Sequence, residues 1–172
     1  PSCAQPQEIC GNSLDDDADG LPDCADPDCR GLPQCSNVPP EPSDVAPPIT
    51  PTTPATFTGR IEFLYNSADP IQREVVPGSI QPKLVSVVRG LVRNRSGQGL
   101  AGVRVTVLGH PELGFTGTTT DGEYTIAVNG GGTVRLVFEL AGFLTAQRRV
   151  TVPWNDSARA EDLVLIPADP TV

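Results

Sequence analysis

Between residues 85 and 166 the chain repeats one pattern, a short run rich in β-branched residues followed by a turn that contains glycine or proline. The runs cover residues 85–92, 103–108, 115–119, 124–128, 134–140, 144–152 and 163–166. No segment keeps a helical period of apolar residues over ten positions. Short strands separated by turns such as Asp121-Gly122 are typical of antiparallel sandwiches, so the sequence predicts an all-β fold with an antiparallel β-sandwich.

Residues 57–84 precede these runs and contain another alternating stretch. Between positions 59 and 65, Ile61, Phe63 and Tyr65 occupy every second position, which predicts one more strand. Turn signals follow at residues 66–70 and at Pro77-Gly78. The division expected from these signals is a strand-and-turn segment at 57–84 that packs on the sandwich or a neighbour, the sandwich at 85–167, and a tail at 168–172.

The first 35 residues form a separate head that is rich in cysteine. All five cysteines of the chain fall there, at Cys3, Cys10, Cys24, Cys29 and Cys35. This density is typical of a disulfide-stapled scaffold in an oxidising compartment. Zinc would require CxxC pairs or histidine, and the single histidine is far away, so disulfides are the better interpretation. The spacing leaves the pairing open, and the odd number leaves one thiol free or paired elsewhere.

Charge is concentrated in the same head. The chain has a net charge of −9, and residues 1–35 hold eight acids against Arg30, which gives −7 there. A chain this acidic repels phosphates, which argues against nucleic acid and anionic membranes as partners. No run of eighteen apolar residues is present, so no membrane span is expected. Because the sequence starts at Pro1 and not at methionine, we expect a processed protein or a piece of a longer one.

Residues 15–26 carry carboxylates in a regular pattern. Counted from Asp15, acids stand at positions 1, 3, 5, 9 and 12 and glycine stands at position 6, which is the spacing of a twelve-residue calcium loop. The ligands that this spacing predicts for Ca2+ are Asp15, Asp17, Asp19, the Leu21 carbonyl, Asp23 and Asp26, with a further oxygen from Asn12, Asp28 or water. A solvated acidic tail is the alternative. Magnesium fits less well because it demands stricter octahedral geometry.

Residues 36–56 form a linker with seven prolines and no aromatic residue. Such a segment buries too little apolar surface to fold alone, so we expect extended polyproline II. Its threonines and prolines also favour O-linked glycans.

The head segment at residues 8–24 resembles known calcium-binding repeats. Its cysteine-bracketed aspartates look like an acidic repeat of exported bacterial proteins and are similar to thrombospondin type 3 repeats. The resemblance implies that the head binds calcium structurally, and it carries no information about a partner.

Motifs in the sandwich resemble the carboxypeptidase regulatory-like, or transthyretin-like, domain. The segments that carry this resemblance are residues 87–92, 99–107, 120–124 and 141–143. Leu100-Ala101-Gly102-Val103 begins a strand after a loop, and Ala141-Gly142-Phe143 turns the last hairpin. The resemblance implies a transthyretin-like sandwich without catalytic function that supports neighbouring domains.

A wider set of motifs is similar to the N-terminal part of bacterial YD-repeat (RHS, teneurin-like) surface proteins. The set comprises residues 61–72, 76–80, 108–112, 127–132 and 146–154. In that family a transthyretin-like sandwich precedes a β-propeller and a hollow β-shell. The resemblance implies the N-terminal module of a larger extracellular or bacterial cell-surface protein, with downstream domains or other copies of the chain as partners.

The sequence shows no constellation for catalysis, so no enzyme is expected. The single His110 sits in a Gly-His-Pro-Glu turn and cannot serve a triad. Residues 130–132 lack the Lys-Ser/Thr of a phosphate loop and indicate a hairpin turn. Trp154 is expected to pack in the core or between domains, and the alternative is an exposed aromatic that stacks on a sugar or docks a partner. Of Arg148 and Arg149, one is expected to face outward and protect a strand edge.

These features together favour a non-catalytic, calcium-stabilised structural and binding module. One alternative is a self-assembling subunit of an extracellular filament, in which residues 57–66 or the linker add to a neighbour's open sheet edge. A weaker alternative is calcium-dependent carbohydrate binding.

Overall fold

The computed structural model describes residues 7–10, 16–18, 24, 27–29, 32, 35–48 and 56–168. Its strands are β1 (Val85–Arg93), β2 (Arg104–Val107), β3 (Phe115–Gly117), β4 (Glu123–Asn129), β5 (Gly132–Glu139), β6 (Ala146–Val152), β7 (Ser157–Arg159) and β8 (Leu163–Val164). Its helices are α1 (Pro42–Val45), α2 (Phe57–Ile61) and 3-10 turns at Pro27–Cys29, Glu62–Leu64 and Pro111–Leu113. Within these ranges no helix is long and apolar enough to cross a membrane.

The strands form two sheets of a sandwich. In the first sheet β4 lies beside β1, and β7 and β8 pair with successive parts of β1. The second sheet has the order β3-β2-β5-β6. Each of the seven predicted runs contains a strand, so the all-β sandwich is confirmed. Strand β7 was not predicted, and neither was the parallel pairing of β7 and β8 with β1.

Apolar side chains from the two sheets meet in one core. Its most buried members include Val88, Val105, Ile126, Leu136 and Phe138, each 0% exposed. Tyr124 on β4 meets the Phe138 ring edge to face, with ring centroids 5.3 Å apart. Gly90 of β1 lies opposite Tyr124, and a Cβ there would stand 2.5 Å from the tyrosine oxygen. Glycine in the central strand therefore makes room for the ring.

Residues 57–64 are helical, so the strand predicted from their alternation is wrong. Thr56 caps α2, because its hydroxyl oxygen accepts the Gly59 N–H at 3.2 Å. Ile61 and Leu64 are 7% and 2% exposed, and they follow Phe57 at spacings of four and three residues. This spacing places one apolar face of the helix on the sandwich. In so short a run the sequence fits a period of two as well as a helical period.

Arg73 extends the second sheet beyond β3. Its N–H donates to the Phe115 carbonyl at 2.8 Å, and its own carbonyl accepts the Phe115 N–H at 3.0 Å. Residues 57–64, which were expected to lend a strand to a neighbour, are helical, and the pairing with β3 comes from Arg73 further along the chain. Strand addition by residues 57–66 is therefore not available in this fold, whereas filament assembly through the linker stays a prediction.

Gln72 completes the edge of β4 with its side chain. Its Oε1 accepts the Ala127 N–H at 2.7 Å, and its Nε2 donates to the carbonyls of Ala127 at 3.0 Å and Leu113 at 2.7 Å. Gln72 is 0% exposed. Because buried backbone groups need partners, the amide takes the place of a neighbouring strand and seals this side of the sandwich.

The N-terminal part of the linker is folded against the sandwich. We call residues 35–46 the strap. Glu41 and Ala46 have the extended backbone of polyproline II, with ψ of 136° and 133°, but α1 lies between them. Pro39 is buried. The prediction of continuous polyproline II is therefore wrong for α1, where Pro42 begins a helical turn with its fixed φ.

Candidate functional site

Two disulfides hold the described part of the head. Cys10 is joined to Cys29, and Cys24 is joined to Cys35. Cys29 is 0% exposed and Cys35 is 7% exposed. The preference for disulfides over zinc is confirmed for these four cysteines, whereas Cys3 lies outside the described residues.

The predicted calcium ligands fall mostly outside the described residues. Asp17 is half-buried and Asp28 is exposed. The others, Asn12, Asp15, Asp19, Leu21, Asp23 and Asp26, lie outside the described ranges. Among the residues that are described, no three His, Cys, Asp or Glu side chains group into a metal site. Calcium binding therefore stays a prediction.

Glu8 is a head residue that the sequence reasoning missed. Its side chain accepts the Asp16 N–H at 2.8 Å through Oε2, and Glu8 is only 8% exposed. The next residues form a sharp turn, because Ala18 has a φ of 61°, in the left-handed region that non-glycine residues rarely occupy. A buried carboxylate thus holds Asp16, near the start of the acidic loop at residues 15–26. The only sequence signal for it is its position just before Cys10.

Arg73 also connects the strap to the sandwich. Its Nη1 donates to the Ser36 carbonyl at 2.8 Å, while its backbone pairs with β3. Beside this contact, a Cβ on Gly117 of β3 would lie 1.5 Å from the Asn37 carbonyl oxygen. Glycine at this position therefore lets the strap backbone lie directly on the strand. Through Cys35, these contacts tie the disulfide-linked head to the second sheet.

A cleft of about 430 Å³ separates the strap and α2 from the first sheet. Phe63 and Ile71 line it together with the charged Arg60, Arg89, Glu41 and Glu123. Thr119 also lines it, and its buried hydroxyl has no hydrogen-bond partner among the described residues. The cleft carries both signs of charge and shows no arrangement of groups that would select one chemistry.

The remaining candidates behave as turn and surface residues. The His110 ring nitrogen Nδ1 lies 2.9 Å from Glu112 Oε1, and this hydrogen bond lowers the pKa of the Glu112 carboxyl. Trp154 is 64% exposed, so it does not pack in the core. Its Nε1 donates to the Gly130 carbonyl at 3.1 Å, and the ring covers Gly131 in the β4–β5 hairpin. The hairpin interpretation of residues 130–132 agrees with this geometry.

The outer face of the second sheet carries exposed polar side chains. Arg104 lies over the Phe115 ring, with its guanidinium carbon 3.5 Å from the ring centroid, and stands 3.9 Å from Glu74. Arg135 on β5 and Arg149 on β6 are exposed, and neither forms an ion pair with a carboxylate of the described residues. Arg148 points the other way and is half-buried, so Arg149 is the arginine that faces outward.

A family model and the curated relatives point to the same family. A family model described as the Teneurin TTR-like domain matches residues 80–165, which include all strands from β1 to β8. The chain is 39% identical over 160 residues to Teneurin-3 of Mus musculus, a match that covers 87% of this chain and 6% of that protein. It is 38% identical over 167 residues to Teneurin-m of Drosophila melanogaster, covering 91% and 6%. The chain thus spans about 6% of the length of these relatives.

Proposed function

Because this chain belongs to the teneurin TTR-like domain family, we propose that it is a non-catalytic extracellular module that fixes a disulfide-stapled head against a β-sandwich. The observation that carries the proposal is the double role of Arg73, whose backbone extends the second sheet and whose side chain holds the strap. A flexible tether would need neither contact. The disulfides support an oxidising compartment as the place where the module works.

We further propose that the module is one domain of a much larger surface protein with YD repeats. The small share of each relative that the chain covers supports this size. Its partners are then other domains of the same protein, and the strap sets the direction in which the head leaves the sandwich. Calcium-dependent carbohydrate binding remains a hypothesis, and a glycan array with and without chelator would examine it.

Hydrogen exchange measured by mass spectrometry tests the fixed head. The strap contains backbone hydrogen bonds from Val38, Asp44 and Ala46 N–H groups, and we expect their exchange to be slowed. Arg73→Gln removes the link to Ser36 and should speed exchange in the strap several-fold while the core strands keep their protection. Arg95→Gln, at an exposed turn, is the matched control. Strap amides of the wild type that exchange like those of an unfolded peptide would overturn the proposal.

The head, in this proposal, binds one calcium ion through the ligands of the acidic loop. Support comes from the spacing of Asp15, Asp17 and Asp19, from the hard carboxylate oxygens that they offer, and from the sharp turn at Ala18. The ion would offset the mutual repulsion of the aspartates and so stabilise the disulfide-linked head.

Calorimetric titration of the oxidised protein tests calcium binding independently of the sandwich. Extracellular modules bind calcium as weakly as roughly 10⁻⁴–10⁻³ M, so the titration must reach millimolar concentrations. We expect heat of binding and a rise in the unfolding temperature of the head. Asp17→Asn should lower the calcium affinity about tenfold and reduce the rise in unfolding temperature. Asp44→Asn in α1 should change neither. Absence of heat in the wild type would eliminate the calcium proposal and leave the role of Arg73 untouched.

A further inference from the structure

The edge of β6 is open, and the register shows which backbone groups it presents. Arg135 on β5 accepts the Leu108 N–H from the β2 side at 2.8 Å. Because the N–H and C=O of one residue in a strand point to the same side, Arg135 forms no backbone bond with Arg149, its opposite residue on β6. The peptide groups of Gln147, Arg149 and Thr151 therefore point away from β5. No backbone hydrogen bond from the described residues reaches them.

The same register brings two positive charges close together. Arg135 and Arg149 face each other as a non-hydrogen-bonded pair, the kind in which opposite side chains stand closest. Like charges directly opposite one another destabilise a sheet. Their neighbours on this face include Thr133, Thr151 and Gln147, which carry no charge, and Gln147 Oε1 accepts a hydrogen bond from Arg135 Nη1 at 3.5 Å. In a chain with 21 acidic residues, this pair thus stands beside an open edge without a carboxylate from the described residues.

We propose that the β6 edge is a docking site for an extended acidic segment of a partner protein. The segment adds as a strand beside β6 and bonds to the outward peptide groups of Gln147, Arg149 and Thr151. The residue opposite Arg149 then has its side chain on the outer face, next to both guanidinium groups. A glutamate or aspartate at that position removes the repulsion between the arginines, and arginine favours bidentate bonding to carboxylates.

An arginine at an edge also serves to prevent unwanted pairing between chains. The two roles predict different effects of removing the positive charge of Arg149. If Arg149 only prevents pairing at the edge, its loss promotes self-association, and acidic peptides bind neither the wild type nor the variant. If the edge is a docking site, its loss weakens the binding of an acidic strand.

Fluorescence polarisation with the full oxidised chain tests the proposal. The probe is a synthetic peptide of about nine residues in which glutamate alternates with valine or threonine. A second peptide of equal charge carries proline at its centre, which removes a backbone donor and prevents strand pairing. We expect the first peptide to bind, more weakly as salt rises, and the second to bind at least tenfold more weakly. Equal binding of the two peptides, or no binding of the first at low salt, overturns the proposal.

Variants of the protein separate binding from folding. Arg135→Glu should abolish binding while its unfolding temperature equals or exceeds that of the wild type, because it forms a cross-strand ion pair with Arg149. Thr151→Pro should also abolish binding, since its N–H points outward and is not needed by β5. Arg95→Gln should bind as the wild type does. Unchanged binding by Arg135→Glu or Thr151→Pro refutes the docking site, as does a preference for a sulfated oligosaccharide over the peptide.

Discussion

The edge strands β3 and β4 lie on one side of the sandwich and β6 lies on the other. The two sides differ in whether the backbone groups of their edge strands have hydrogen-bond partners. On the first side, which we call the sealed side, Arg73 pairs with Phe115 of β3 and the Gln72 side chain replaces a strand beside β4. On the second, the open side, the outward peptide groups of β6 have no backbone partner among the described residues. The edge strands of the sealed side are bonded through buried hydrogen bonds. The open side instead carries the exposed charges of Arg135 and Arg149.

The difference shows that an edge strand has two very different energetic roles in one domain. Buried edge groups on the sealed side must be satisfied, so substitutions there should cost much of the stability. Outward groups on the open side are hydrated, so substitutions there should leave the fold intact and change association instead.

Gln72→Leu should produce the largest loss of stability. It leaves the Ala127 N–H and the carbonyls of Ala127 and Leu113 without the partners that Gln72 supplies, and we expect a cost of about 3 kcal/mol in the free energy of unfolding. Gln147→Leu, the same change on the open side, should stay within about 0.5 kcal/mol. Urea denaturation measures both. Equal losses from the two glutamines would remove the distinction between the sides.

Gly114→Ala should be the second most damaging change. Gly114 has a φ of +64°, and an added Cβ would stand 1.9 Å from the Arg73 carbonyl oxygen, which pairs with β3. Strain and displacement together should cost about 2 kcal/mol. Gly132→Ala on the open side meets no atom within 4 Å, so its unfolding midpoint in urea should match or exceed that of the wild type. A stable Gly114→Ala protein would mean that residues 71–74 can leave β3 at little cost.

The sequence predicted the sandwich well because each of its strands carries the signal within itself. Val105 and Val107 alternate toward the core, and Asp121-Gly122 marks the turn after β3, where Gly122 has a φ of 82°. β7 escaped prediction because it has three residues and only one of them, Ala158, is partly buried. Its identity as a strand depends on pairing with β1, which no local pattern encodes.

The sealed side could not be predicted, because its key contacts join residues far apart in the sequence. Gln72 bonds to Ala127, which is 55 residues away in the sequence. A single polar residue between turn signals forms no local pattern from which such a contact could be predicted. The same is true of Arg73 and Ser36, which are 37 residues apart. For the acidic loop the sequence provides the whole argument, since its spacing of aspartates is local.

Alkaline pH should lower the stability of the whole sandwich. Burial raises the pKa of the Tyr124 hydroxyl on β4 well above its usual range, with the nearby Arg148 and Arg159 opposing this effect, and burial also raises the pKa of Tyr65. Above about pH 10 the unfolded chain loses these protons while the folded chain keeps them, so stability falls as pH rises, by up to about 1.4 kcal/mol per pH unit for Tyr124 and by less for the more exposed Tyr65. Below that pH neither tyrosine contributes a slope.

Denaturation at a series of pH values checks this dependence. Tyr124→Phe should flatten the slope most, and it should cost little at neutral pH because the Tyr124 hydroxyl has no hydrogen-bond partner among the described residues. Tyr65→Phe, the matched variant just after the 3-10 turn Glu62–Leu64, should flatten the slope less. A slope that survives in both variants would show that groups other than these two tyrosines control alkaline stability.

Arg149→Gln should have the smallest effect and the opposite sign. Removing one of two like charges from the open side relieves repulsion with Arg135, so we expect a gain of about 0.5 kcal/mol in the free energy of unfolding. Salt screens exposed charges over about 10 Å at 0.1 M, so the gain should shrink as ionic strength rises. Arg95→Gln, which has no arginine opposite it in the sheet register, should give no gain at any salt concentration. If Arg149→Gln instead lowered stability, the guanidinium would be bonded in the free protein, and the open side would be closed by a contact of its own.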